Sequence, residues 1–284
     1  MSRKTSVDTI VKLGAGGVVL LLAVYSSAAY MLQERSVPGC MESYERTAIF
    51  DLNANDGRPL TTIELQARAG AGEVGIMQNA RIVEVGHGPS PVAMEVSLSA
   101  STPGNQGESG LDFAWHPASD GARSACLRYS VWMPDNFDFG PGGYLPGFYG
   151  NEAGSNPAAP SAAGLRVRTK WQREGTSEIH ARAPAIQAAN GRSFSTRDKV
   201  FGRGRWNTVE QELVVDAPGA KDGSLKVWVN GKLIVNERRL QLSKDQPVAI
   251  EGVLASIGFV GQARVHPNPE AAKLQISPIV LAWR

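Results

Sequence analysis

Residues 165–171 read Leu-Arg-Val-Arg-Thr-Lys-Trp, and this alternation constrains the chain more than any other stretch. Successive side chains of a β-strand point to opposite faces. Leu165, Val167, Thr169 and Trp171 therefore share one face, and Arg166, Arg168 and Lys170 share the other. After a turn at Glu174-Gly175, the segment Glu178-Ile-His-Ala-Arg182 repeats the pattern, with Glu178, His180 and Arg182 on one side. Pairing the two strands as a hairpin centred near Glu174 sets Lys170 opposite Glu178, Arg168 opposite His180, and Arg166 opposite Arg182. All six side chains then fall on one face. Like charges directly opposite one another destabilise a sheet, so such a face calls for an anionic ligand or open water. Arg197, Lys199, Arg203 and Arg205 are expected to extend the same basic region.

The rest of the chain from about residue 45 also has a period near two. Met94, Val96 and Leu98 alternate with Glu95, Ser97 and Ser99, and Leu127, Tyr129, Val131 and Met133 follow the same rule. Residues 225–235 form two short runs around Asn230-Gly231, the strongest short hairpin signal. Residues 212–216, 253–260 and 274–283 read as further strands. Apart from residues 60–68, amphipathic helices are absent from this region. Many short strands between Gly, Pro and Asp turns predict an all-β domain over residues 45–284, a β-jelly roll or antiparallel β-sandwich. Residues 101–110, 151–163 and 187–199 read as long loops.

Residues 13–32 contain no charge, and twenty helical residues cross a hydrocarbon core about 30 Å thick. Arg3, Lys4 and Lys12 precede this run, while Glu34 and Arg35 cancel after it. That bias keeps residues 1–12 in the cytoplasm and sends the body out, with residues 33–44 as a linker. Two alternatives stand: a retained transmembrane signal anchor, or a signal peptide cleaved after small residues such as Ser26 and Ala28. Both place the body outside the cytoplasm, periplasmic or extracellular, where Cys40 and Cys126 can pair.

The 29 Lys and Arg against 27 Asp and Glu leave a net charge of only +2. Bulk charge therefore gives no case for nucleic acid, which export also disfavours, and any basic site must come from local clustering. A polyanion such as a uronate polysaccharide is the natural ligand for the cationic strand face. Two cysteines cannot form a four-ligand zinc cage. The four histidines lack metal-type spacing, and no phosphate-binding glycine loop or Gly-x-Ser-x-Gly elbow is present, so no cofactor or metal is expected. His87, His116 and His266 read as turn or surface residues, and Trp171, Trp206 and Trp228 as core.

The segment FDFGPGGYLPGFYG at residues 137–150 reads as a tight, irregular loop after a strand ending at Met133-Pro134. It resembles the GGKLPGLYGG signature of the alginate-lyase-like polysaccharide lyases, family 14. Residues 165–171, 175–178, 204–211, 222–231 and 256–261 resemble later segments of that family in the same order. The resemblance covers about residues 125–284. It implies a jelly roll whose concave sheet holds an acidic polysaccharide and cleaves it by β-elimination at a uronate. The family's Lys falls on Tyr144, its strand Ser on Arg166, and its Tyr-x-Tyr on His180 and Arg182, while its strand Arg is kept as Arg168. The resemblance thus points to His180, Tyr144 and Arg168 as catalytic residues. It points to Arg166, Lys170, Arg182 and Tyr149 as substrate-binding residues. The alternative is a non-catalytic binding subunit for acidic polysaccharide on the same scaffold.

Overall fold

The computed structural model describes residues 39–99, 109–150, 164–186, 191–261 and 266–284. The expected membrane span at residues 13–32 and the loop at residues 151–163 lie outside them. No helix among the described residues is long and apolar enough to cross a membrane. These residues form two antiparallel sheets stacked as a sandwich.

The larger sheet contains β1 (Arg46–Phe50), β2 (Ala80–Glu84), β3 (Val92–Ser97), β5 (Ser124–Met133), β10 (Arg205–Val214), β11 (Gly223–Val229), β12 (Lys232–Leu240), β14 (Lys273–Ile276) and β15 (Ile279–Trp283). Its main path runs β12-β11-β10-β5-β14-β3-β2, with β15 on β5 and β1 on β15. The smaller sheet contains β4 (Leu111–Trp115), β6 (Gly143–Gly150), β7 (Leu165–Trp171), β8 (Ser177–Arg182), β9 (Arg192–Ser195) and β13 (Gly252–Phe259). Its order is β4-β13-β6-β7-β8-β9.

The core lies between the sheets and draws alternate residues from both, among them Leu127, Tyr129, Val131, Val167, Trp171, Ile179 and Val253. Each large apolar side chain buried there contributes about 1.5–3 kcal/mol. The β11–β12 hairpin turns at Asn230 and Gly231, whose φ angles of 53° and 78° suit a tight turn between twisted strands.

Several details depart from the sequence expectations. Residues 143–150 are a full strand, β6, not an irregular loop. Pro146 has no N–H to donate, and the pairing slips between Tyr144 and Gly147, where a bulge accommodates it. The Pro146 carbonyl accepts instead from the buried Tyr129 hydroxyl and from Gln211 Nε2, both at 3.1 Å. Strand β9 falls within the expected loop 187–199. The run at 274–283 is two strands, broken at Ser277-Pro278. The weak helical stretch becomes α1 (Thr62–Ala69), which starts with a capping box. The Thr61 hydroxyl accepts from the Glu64 N–H, while the Glu64 carboxylate accepts from the Thr61 N–H. One further turn, α2 (Ile76–Asn79), follows.

Trp171 is fully buried in the main core, and Trp228 is buried in a small second cluster. Trp206 is not a core residue: it is half-exposed and pairs with Trp132, with ring centroids 6.0 Å apart.

Cys40 and Cys126 are joined by a disulfide, with Cα atoms 5.7 Å apart. Leu127, Tyr129 and Val131 face the core, so Cys126 faces outward on β5. The chain is thus fastened to the outer side of the larger sheet from Cys40 onward, with Tyr44 also buried there.

Candidate functional site

Strand parity sorts the smaller sheet into a core face and an outward face. On β7 and β8, Val167, Trp171, Ile179 and Ala181 pack into the core. Arg166, Arg168 and Lys170 therefore point outward together with Glu178, His180 and Arg182. The register sets Arg166 opposite Arg182, Arg168 opposite His180, and Lys170 opposite Glu178, as the hairpin pairing anticipates. On the other side of β7, β6 places Tyr144 opposite Lys170, Gly147 opposite Arg168, and Tyr149 opposite Arg166. Farther across, Ser256 of β13 lies opposite Asp112 of β4.

This face is not a flat solvated wall. Arg166, Tyr149, Leu254 and Ser256 all belong to it, and all are buried. The ring of Tyr149 meets that of His116 edge-on, with centroids 5.1 Å apart. Arg166 and Tyr149 therefore sit behind the accessible surface, whereas Tyr144, Arg168, His180 and Arg182 are half-buried.

Arg168 is the centre of the arrangement. Its side chain crosses β6 at the bulge and donates from Nη1 to Ser256 Oγ at 3.2 Å. On the way its guanidinium lies over the Tyr144 ring, 4.1 Å from the centroid, a cation–π contact. Gly147 makes room for the close packing of β6 on β7: a methyl group there would collide with the backbone of Val167 and Arg168. Ser256 in turn donates to Asp112. Burial pushes the Asp112 carboxyl up, against the pull of the Ser256 hydrogen bond and of the Arg168 and Arg166 charges. Burial also lowers the pKa of Arg168, and neighbouring Arg166 acts in the same direction, while Tyr144 and Asp112 oppose the shift. A guanidinium remains charged through such a shift. Its Nε is buried and has no hydrogen-bond partner among the described residues. A buried donor left unanswered is the feature that marks this position.

The remaining cations are not equivalent. Lys170 donates to Glu178 at 2.8 Å and so carries no open charge. The Arg182 side chain makes no hydrogen bond or ion pair among the described residues. The wider basic region does not assemble. Lys199 pairs with Glu174 at 2.7 Å, Arg203 lies over Phe139 and donates to the Phe137 carbonyl, and Arg205 opens β10 in the other sheet.

Sequence reasoning passed over Asp112 and Ser256. Their signal was parity: Leu111 and Phe113 alternate with Asp112, and Ala255 and Ile257 flank Ser256, so each polar residue faces away from the core. Among the described residues, Cys40, Cys126 and Glu210 lie close enough together for a metal. The disulfide, however, leaves no thiolate there to bind one.

The fold and this cationic sheet face define an antiparallel sandwich of the polysaccharide-lyase type. The polysaccharide lyase 14 family model matches residues 89–275, and the chain belongs to that family. The PL-14 alginate lyase from Aplysia kurodai is similar at a TM-score of 0.61 and 18% identity, over 85% of this chain and 99% of that one. An alginate lyase from Chlorella virus matches at 0.61 and 18%, over 78% and 97% of the two chains. An endo-β-1,4-glucuronan lyase from the fungus Trichoderma reesei matches at 0.54 and 12%, over 85% and 96%. No curated protein sequence matches the chain.

Proposed function

We propose that the protein acts on a uronate-bearing polysaccharide by β-elimination at the outward face of the smaller sheet. The observation that carries this reading is the Arg168 guanidinium, held by Ser256 and Tyr144, with its buried Nε unanswered and His180 on the neighbouring strand. A cation fixed in advance at the sugar carboxylate acidifies the adjacent C5–H, and such preorganised charge is usually the largest contribution to catalysis. In this scheme Arg168 neutralises the carboxylate and His180 takes the C5 proton. The electron pair forms the C4=C5 double bond as the C4–O4 bond breaks, and Tyr144 protonates the departing O4. Arg182 binds substrate at the C-terminal end of β8, while Arg166 adds positive potential from behind.

The described sandwich belongs, in this reading, to a jelly-roll domain spanning residues 45–284. Residues 13–32 anchor it, with the body outside the cytoplasm; a Cys40–Cys126 disulfide suits that oxidising location.

The test is incubation of the full chain with a panel of uronate polymers, following ultraviolet absorbance of the new C4=C5 bond. His180→Ala should abolish turnover and leave binding largely intact. The second reading, a binding subunit without catalysis, is favoured by the tie of Lys170 to Glu178 and the burial of Arg166. A flat trace across the panel with binding retained would establish it.

A further inference from the structure

The larger sheet also has an outward face, and one row of it joins an aromatic pair to polar groups left open. Leu274 and Ile276 of β14 and Met94 and Val96 of β3 enter the core. Gln275 and Glu95 therefore point outward, as Trp132 does on β5. The register lines up Trp206, Trp132, Gln275, Glu95 and Arg81 across five neighbouring strands. Trp206 is fixed by the loop between β2 and β3. Its Nε1 donates to the His87 carbonyl at 2.7 Å, and a methyl group on Gly88 would collide with its indole. Trp132 packs against Trp206 and stays half-exposed. A large aromatic held in this way offers contact area at little cost in conformational entropy.

A cavity of about 220 Å³ lies against Trp132 and is lined also by Gln275, Glu95, Asn136 and the Lys273–Glu270 pair. Trp132 and Glu95 are two strands apart, about 10 Å, with Gln275 between them, which is room for one sugar ring. The Gln275 amide and the Trp132 indole N–H make no hydrogen bond among the described residues. Arg81 meets Glu95 only at Oε1, at 2.8 Å from Nε and 2.6 Å from Nη2, so the other carboxylate oxygen faces no donor among the described residues. The cations, in contrast, are engaged: Arg81 by Glu95, and Lys273 by Glu270 at 2.5 Å.

This is the reverse of the smaller sheet, where a guanidinium waits for an anion. A ligand carboxylate here would meet two carboxylates and no unengaged cation. An uncharged pyranose instead lays its C–H face on the indole. Its hydroxyls donate to the ionised Glu95, a charge-assisted bond, and both donate to and accept from the Gln275 amide. An apolar wall with a few convergent polar groups is the usual make-up of a small-ligand site.

We propose that Trp132, Gln275 and Glu95 form a second saccharide site, on the sheet opposite the cationic face, which holds one uncharged pyranose ring. The site stands independently of the uronate reading and gives the protein a hold on neutral glycan that the cationic face does not supply.

The experiment titrates the full chain by calorimetry with four uncharged probes, cellohexaose, mannohexaose, xylohexaose and laminarihexaose, with and without excess oligomannuronate. At least one probe should bind, with the same affinity in both conditions. Trp132→Ala should weaken that binding about tenfold or more, while Trp132→Phe, which keeps an aromatic face, should stay within about threefold of wild type. Gln275→Leu keeps the bulk, loses the amide and should cost about threefold to tenfold, and it reports on the site independently of the folding of Trp132→Ala. Failure of all four probes to bind overturns the proposal. Displacement by oligomannuronate overturns it too, because the ring then sits on the cationic face. Unchanged affinity in Gln275→Leu and in a folded Trp132→Ala has the same consequence.

Discussion

Arg168 on β7 reaches Ser256 on β13 across the intervening strand β6, closing a 3.2 Å hydrogen bond over the bulge between Tyr144 and Gly147. Three strands are thereby tied together on the outward face by one guanidinium, whose plane also covers the Tyr144 ring. The core-side geometry of β6 and the electrostatics of the outward face are consequently not independent. The bulge that accommodates Pro146 lies on the path that the arginine crosses.

Gly147→Ala tests that dependence. The added methyl group meets backbone of the adjacent strand, which cannot swing away as a long side chain can. Overpacking of this kind costs about 1–3 kcal/mol. At about 2–4 °C per kcal/mol for a domain of this size, the thermal midpoint should fall by roughly 2–12 °C. Affinity for a uronate polymer should fall in the same variant, because Arg168 loses its seat. A midpoint unchanged within about 1 °C would show that β6 relaxes freely at this position.

Arg168→Ala should reduce kcat/KM for a uronate polymer about 100-fold, in line with removal of one fixed donor to a developing charge. Arg168→Lys should recover little of this. A lysine offers one point charge, and the site uses a fork that meets Ser256 and stacks on Tyr144 while leaving Nε free. Steady-state rates from double-bond absorbance decide the matter. A lysine variant within about threefold of wild type would mean that charge alone matters and the seat does not.

Strand alternation alone makes half of this site legible in the amino-acid sequence. The Arg166–Arg182 face and its cross-strand pairs follow from period two and one turn, because register on a half-buried sheet is fixed by which residues enter the core. Residues 137–150 mislead because glycine and proline are turn formers locally, and only the tertiary contacts of the Pro146 carbonyl with Tyr129 and Gln211 explain a strand there. Asp112 and Ser256 are separated from Arg168 by 56 or more positions in the chain. Their meeting depends on the strand order β4-β13-β6-β7, which no local pattern encodes. The neutralisation of Lys199 by Glu174 is likewise invisible to a count of basic residues.

The two carboxylates of the outward face should respond to pH with opposite signs. Glu178 is held below its ordinary value of 4.5 in the fold, so its stabilising contribution is complete above that pH and is lost as pH falls through the folded value. Asp112 is raised above its ordinary 3.8, so its contribution is complete below that pH and is lost as pH rises through the folded value. The midpoint advantage of wild type over Glu178→Gln should therefore shrink on acidification from about pH 6 to about pH 3. Over the same range on the way up, Asp112→Asn should gain on wild type. Thermal melts of the three proteins across this range are sufficient. Parallel curves for Glu178→Gln and wild type would mean that the Lys170 pair does not persist in solution.

The disulfide should be the largest single covalent contribution to the body's stability. Cys40 and Cys126 are 86 positions apart, so the bond closes a long loop in the unfolded chain. Chain-entropy reasoning sets an upper figure of about 4–5 kcal/mol for a loop of this length, with measured native bridges nearer 2–5 kcal/mol. Loss of the bridge should lower the thermal midpoint by roughly 4–20 °C. The enclosed packing of Cys40, Tyr44 and Trp228 around it loosens when the bond is cut, although the Cys40 N–H still donates to Glu210, the Tyr44 hydroxyl to Glu212, and β1 still pairs with β15. Melts of wild type with and without reductant, set against the Cys40→Ser/Cys126→Ser double variant, separate the bond from the packing. Reductant should shift the wild type down to the double variant's midpoint and leave the double variant unmoved. The outward-facing site, on the other sheet, should keep its polymer affinity in the reduced protein below that midpoint. A parallel loss of affinity would mean instead that the tether at Cys40 governs the geometry of the cationic face through the core.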